Sequence, residues 1–162
     1  MQTSKKNALK WCWLSVIVIV LDQLSKYWVE THLIPYQPLP VLPFFNLTLM
    51  HNTGAAFSFL SRTGNLSTWL FSMVAIVVSI VLIAYLRRIP AARRWMACAL
   101  ALVLGGALGN LLDRFTSGYV IDFLDFYYQH WHFAAFNLAD SAITVGAAML
   151  LIEAFFFKRE PS

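Results

Sequence analysis

Eight acidic residues occur in a chain of 162 that is 59% apolar and only 12% charged. Glu153 and Glu160 fall near the C-terminus, whereas Asp22, Glu30, Asp113, Asp122, Asp125 and Asp140 lie within or beside long apolar runs. An ionisable group in such a run is costly to desolvate and marks a functional site by default. Two carboxylates such as Asp122 and Asp140, brought together at low dielectric, cannot both ionise easily and share one proton. One then activates a water as general base while the other protonates the carbonyl oxygen or the leaving group. That is aspartyl-protease chemistry, and it calls for no metal and no other cofactor. Arg114 and the amides of Asn110 and Asn137 can orient such a pair or bind substrate carbonyls.

Each of these residues also has a structural reading. Asp22 and Lys26 are spaced i,i+4, as a helical ion pair would be. Asp113 beside Arg114 fits an ion pair at a helix end as well as it fits a catalytic element. Asp125 reads as solvated at the membrane surface, and Asn110 and Asn137 as amides bonding between helices. Spacing alone does not choose between Asp113 and Asp122 as the partner of Asp140. Other catalytic classes have less behind them. The chain has no His-Glu-x-x-His and no Gly-x-Ser-x-Gly, and no serine is clearly matched to a histidine. His51, His130 and His132 could hold a metal, yet aromatic-flanked histidines at an interface are more often structural.

The elements that must position these groups follow from composition. Soluble domains carry about 25% charged residues, about twice the fraction here. Four apolar runs, at residues 11–29, 66–86, 95–112 and 136–157, are each long enough to cross a bilayer as a helix. The expectation is an all-α membrane protein, a single membrane-embedded domain over residues 1–162. Lys5, Lys6, Lys10, Arg87, Arg88, Arg93, Arg94, Lys158 and Arg159 fall on one side of the membrane, against Lys26, Arg62 and Arg114 on the other. That asymmetry places both termini in the cytoplasm. The basic balance thus reflects topology and anionic headgroups rather than nucleic acid. Lysines followed by an apolar run superficially fit a signal peptide. The run continues through Asp22-Gln23-Leu24-Ser25-Lys26 without a small-x-small site, which predicts a retained first helix. Cys12 and Cys98 read as small apolar side chains, not as a disulfide or metal ligands.

Two segments are left on the far side. Residues 32–65 carry Pro35, Pro38, Pro40 and Pro43, then partly alternating runs at 44–50 and 55–60 around His51-Asn52-Thr53-Gly54, a strand–turn–strand pattern. Residues 115–135 are rich in Tyr, Phe and Trp, which suits a loop or short helix lying at the interface. Gly105 and Gly109 form a Gly-x-x-x-Gly pair, which reads as close helix packing.

Five blocks together resemble one known family, the bacterial lipoprotein signal peptidases or signal peptidase II. They are Val20-Leu21-Asp22-Gln23-Leu24-Ser25-Lys26, His51 to Ser58, Gly106 to Arg114, Val120-Ile121-Asp122-Phe123 and Phe136-Asn137-Leu138-Ala139-Asp140-Ser141. The resemblance runs in order over nearly the whole chain, and its Asn-x-x-Asp-Arg and Asn-x-Ala-Asp blocks are the specific part. It implies an aspartyl endopeptidase of the bacterial inner membrane that removes the signal peptide from prolipoproteins, cutting just before a diacylglyceryl-modified cysteine. By block matching it implies Asp122 and Asp140 as the catalytic pair. Asn52, Asn110, Arg114 and Asn137 become polar residues lining the site, and Asp22 and Asp113 supporting carboxylates. It also implies a β-like cradle around residues 44–60 and a mobile helix between the third and fourth spans. Lipid-modified precursors and membrane lipid are the expected partners, and the protein is expected to act as a monomer. A proton-coupled transporter or a non-catalytic assembly factor would use the same intramembrane carboxylates differently. The first predicts transport in vesicles, the second activity that survives their neutralisation.

Overall fold

The computed structural model describes residues 7–54 and 66–156. Four helices are long and apolar enough to cross a membrane: α1 (Cys12–His32), α2 (Leu66–Arg88), α3 (Arg94–Thr116) and α4 (Leu138–Phe156). A short 3-10 turn, Ala8–Trp11, precedes α1 and is capped by the Asn7 side chain, which accepts from the Leu9 amide. Leu24, Met73, Ile80 and Phe155 stand exposed on the helices, where hydrocarbon rather than water suits them.

Helix α3 is the packing centre, because its sequence is built of small residues where neighbours must come close. Ala97, Ala99, Ala101, Gly105, Gly106 and Gly109 are all buried. A side chain on Gly105 would meet the Ser15 backbone and Val18 of α1, and one on Gly106 would collide with the Ala139 carbonyl oxygen of α4. Without a hydrophobic driving force inside lipid, such close backbone approach and interhelical hydrogen bonds hold a bundle together. Ser15 supplies one, its hydroxyl donating to the Ala101 carbonyl at 2.7 Å. At the end of the bundle away from the sheet, Leu82, Leu86, Ile89, Met96 and Leu100 form an apolar cluster closed by Ala8. Cys12 and Cys98 are free thiols in partly buried positions.

The other end carries a four-stranded antiparallel sheet: β1 (Leu39–Leu42), β2 (Phe45–Asn52), β3 (Val120–Tyr128) and β4 (Trp131–His132), in that spatial order. Val29 of α1 packs with Leu49, Ile121 and Phe123, which seats the sheet on the bundle. Here the structure departs from the expected loop or helix over residues 115–135. Helix α3 runs on to Thr116, and the chain then forms β3 and β4, with no helix between α3 and α4. The β-branched and aromatic run Val120-Ile121-Asp122-Phe123 favours a strand, and β2 offers it a partner through the pairs Met50 with Asp122 and His51 with Ile121. β2 thus pairs with β1 and β3. The expected second strand at residues 55–60 lies outside the described residues.

Candidate active site

At the sheet end, Asp122 on β3 faces Asp140 on α4, with amides between them. Asn52 Nδ2 donates to Asp122 Oδ2 at 2.8 Å, and Asn137 Nδ2 donates to Asp122 Oδ1 at 2.7 Å. Asn110 Nδ2 donates to Asp140 Oδ1 at 2.7 Å. The two amides also touch each other, Asn137 Nδ2 reaching Asn110 Oδ1 at 3.1 Å. Asp122 is 2% exposed, and Asn137 is fully buried.

The local sequence explains how Asp140 is held. Asn137 is the N-cap of α4: its carbonyl accepts from the Ser141 amide at 3.1 Å, and its Oδ1 accepts from the Asp140 amide at 2.9 Å. Asp140 Oδ2 in turn accepts from the Asn137 amide at 3.3 Å. This is a reciprocal capping box, so one Asn-x-x-Asp segment both starts the helix and fixes the carboxylate.

Beneath the pair lies a buried ionic cluster centred on Lys26, which is 1% exposed. Its ammonium is 2.7 Å from Asp22 Oδ2, 2.7 Å from Asp113 Oδ2 and 3.1 Å from Asn110 Oδ1. The i,i+4 pair of Asp22 and Lys26 is therefore present. Asp113, by contrast, pairs with Lys26 and not with Arg114, because α3 continues past it and turns its carboxylate toward α1. Both carboxylates also reach backbone, Asp22 through its second oxygen and Asp113 through the oxygen that already meets Lys26. Asp22 Oδ1 accepts from the Ala139 amide at 2.9 Å, and Asp113 Oδ2 accepts from the Ile121 amide at 3.2 Å. Ala139 and Ile121 each immediately precede one of the two candidate aspartates. Lys26 thus ties both backbone anchors to a single point, and by occupying Asn110 Oδ1 it leaves the Asn110 NH2 to face Asp140.

Arg114 donates to the Asn110 carbonyl at 3.1 Å and lies over the Phe71 ring at 5.5 Å. Among the described residues no carboxylate is within ion-pair distance of it. Sequence reasoning paired Lys26 with Asp22 alone and missed Gln23, whose Nε2 donates to Asp113 Oδ1 at 2.7 Å. Four polar residues within five positions of an apolar helix, Asp22, Gln23, Ser25 and Lys26, were the available signal. The reading of Asp125 as solvated is corrected. It is 1% exposed and accepts from Thr48 Oγ1 at 3.0 Å and Asn46 Nδ2 at 3.3 Å, with His132 Nδ1 at 2.8 Å. Burial alone would raise its pKa, but these bonds outweigh burial and hold the carboxyl below its ordinary range. Asp122 goes the other way. Burial, reinforced by the charge of Asp140 and opposed by the Asn52 and Asn137 amides, pushes it up to about 6.

Two cavities flank the pair. One, of about 290 Å³, is walled by Phe71, Val74, Val78, Ala107 and Ile143 and reaches Asp140, Asn110 and Arg114. The other, of about 310 Å³, lies over the sheet between Tyr36, Met50, Asn52, Asp122 and Ala135.

Four helices able to span a bilayer, with paired carboxylates at one end of the bundle and cavities on either side, define a polytopic membrane protein built around an acid pair. The sequence profile of the Signal peptidase (SPase) II family matches residues 14–156. The lipoprotein signal peptidase of Acinetobacter baylyi is 53% identical over 152 residues, 94% of this chain and 85% of that protein. That of Yersinia enterocolitica is 48% identical over 154 residues, 95% and 91% of the two chains. A solved bacterial membrane enzyme structure, obtained by the in meso method at 1.9 Å resolution, superposes with a TM-score of 0.84 at 30% identity, covering 95% of this chain and 99% of that one. The chain belongs to the signal peptidase II family.

Proposed function

We propose that the protein is an aspartyl endopeptidase of the bacterial inner membrane that removes the signal peptide from diacylglyceryl-modified prolipoproteins. In this reading it cuts before the lipidated cysteine, with both termini in the cytoplasm and the site near the periplasmic face. The observation that carries the mechanism is the pair Asp122 and Asp140 held through the Asn137 and Asn110 amides beside an apolar cavity. The signal peptide, itself an apolar segment, occupies the cavity between α2, α3 and α4. The chain beyond the cysteine leaves over the sheet past Asn52. Asp122, the carboxyl raised to about 6, holds the shared proton and gives it to the carbonyl oxygen. Asp140 takes a proton from the attacking water. On collapse of the tetrahedral diol, Asp140 gives its proton to the departing amine while a diol hydroxyl gives its proton back to Asp122, so the C–N bond breaks and the dyad ends with one proton as it began. Arg114 and the Asn52 amide bind substrate carbonyls.

A gel-shift assay with purified protein in detergent tests this reading. Cleavage of the lipidated precursor, none of the unlipidated one, and indifference to a chelator are the expected results. A folded sample that leaves the lipidated precursor intact would overturn it.

The pH profile follows from the same assignment. Asp122 is protonated below about 6 and ionised above it, so kcat/KM falls as pH rises through that value. The Asn52 amide favours the ionised form, and Asn52→Ala is expected to move the fall to higher pH. A profile that shifts down or stays fixed would argue against Asp122 as the proton holder.

A further inference from the structure

Resting on the reading above, we propose that a third cavity, between the sheet-proximal ends of α2 and α3, receives the glyceryl ester region of the substrate's lipidated cysteine, with Arg114 donating to an ester carbonyl. This cavity of about 180 Å³ is lined by Thr68, Trp69, Ser72, Arg114, Phe115 and Gly118. It far exceeds the roughly 10–15 Å³ that a single water needs. Arg114 is the residue it shares with the cavity holding Asp140. A cysteine side chain next to a scissile bond held by Asp140 therefore has Arg114 as its way out of the groove.

The chemistry of the walls matches that group. The guanidinium has five N–H donors; among the described residues its direct contacts are the Asn110 carbonyl and the Phe71 ring, while Asp140, Asp113 and Asp122 balance its charge from beyond ion-pair distance. Ester carbonyls accept and never donate, and they bring no charge that an anion-binding pocket would need to balance. Ser72 and Thr68 add hydroxyls, the latter already donating to the Gly118 carbonyl at 3.0 Å. Gly118 has open space where a side chain would be, which keeps the floor of the cavity clear. The rim is apolar. Trp69 is 63% and Phe115 60% exposed, at the level where aromatic rings border the hydrocarbon, so two acyl chains can pass between them into lipid.

The test compares two synthetic precursors in detergent, one carrying a diacylglyceryl cysteine and one its dialkyl ether analogue, which keeps both chains and lacks both carbonyls. Wild type is expected to show a KM about tenfold higher for the ether, the loss of one charge-assisted hydrogen bond, with kcat little changed. Thr68→Phe, which fills the cavity, is expected to raise KM for the diester to the ether's level and erase the difference. Ser72→Val serves as the second variant should Thr68→Phe not fold, and it is expected to narrow the difference. Equal KM values in wild type overturn the proposal. So does a difference that survives in the variants, which is also the outcome if a bilayer phospholipid fills the cavity. Failure to cleave either precursor overturns the protease reading, and the pocket's assignment falls with it.

Discussion

Asp140→Asn and Asp122→Asn are each expected to lower kcat on the order of 10⁴-fold or more, and the double variant to be no worse than either single one, because residues that act as a unit are not additive. The two differ in what they do to the fold. Asp140 Oδ1 accepts from Asn110 at 2.7 Å, whereas its second oxygen accepts only at 3.3 Å from the Asn137 amide. An asparagine there keeps the better bond. Asp122 accepts short bonds at both oxygens, from Asn52 at 2.8 Å and Asn137 at 2.7 Å. An asparagine there sets an NH2 against another NH2, so one bond is lost at a cost of about 1–3 kcal/mol. Thermal unfolding of the purified variants should rank Asp140→Asn above Asp122→Asn while both are inactive. Measurable turnover in either folded variant would remove that residue from the dyad.

The largest effect on stability is expected at Lys26. Removing its charge with Lys26→Met leaves Asp22 and Asp113, at 0% and 3% exposure, facing each other without a cation. Breaking a buried ion pair from one side costs about 3–5 kcal/mol, enough to deplete the folded protein. Lys26→Arg separates charge from geometry. The planar guanidinium keeps the positive charge but cannot gather Asp22, Asp113 and Asn110 around one atom. The anchors on Ala139 and Ile121 then shift relative to each other, and kcat is expected to drop by as much as about 10²-fold with KM little changed. A variant with kcat and KM both unaltered would show that Lys26 serves the bundle alone and does not set the spacing of the two carboxylates.

What could be read from the sequence was local. Runs of apolar residues locate α1 to α4 within a few positions, and the Asn-x-x-Asp spacing at Asn137 and Asp140 is a helix-start signature in its own right. The i,i+4 spacing of Asp22 and Lys26 is also local, and the pair forms. What escaped was long-range. β3 needs β2 beside it, and the two are separated by the whole of α2 and α3, so residues 115–135 looked merely aromatic. Asp125 looked solvated because its donors, Asn46 and Thr48, come from that same distant strand. The choice of Asp122 over Asp113 rests on resemblance to a family, and the surroundings of the two carboxylates differ in a way that favours the proposal. Asp113 is committed to Lys26, Gln23 and the Ile121 amide, whereas Asp122 borders a cavity and is bound by neutral amides.

The two cavities on either side of the acid pair have a consequence for the direction of the reaction. One is walled by aliphatic side chains of three helices, the other lies open over the sheet. In the proposed reaction the fragments would end in different solvents, the leader in hydrocarbon and the rest of the chain tethered at the aqueous boundary. Their new ends would partition apart and seldom meet again, leaving condensation no encounter from which to start. Hydrolysis would then be one-way through phase separation of its products, without a gate that has to close behind them.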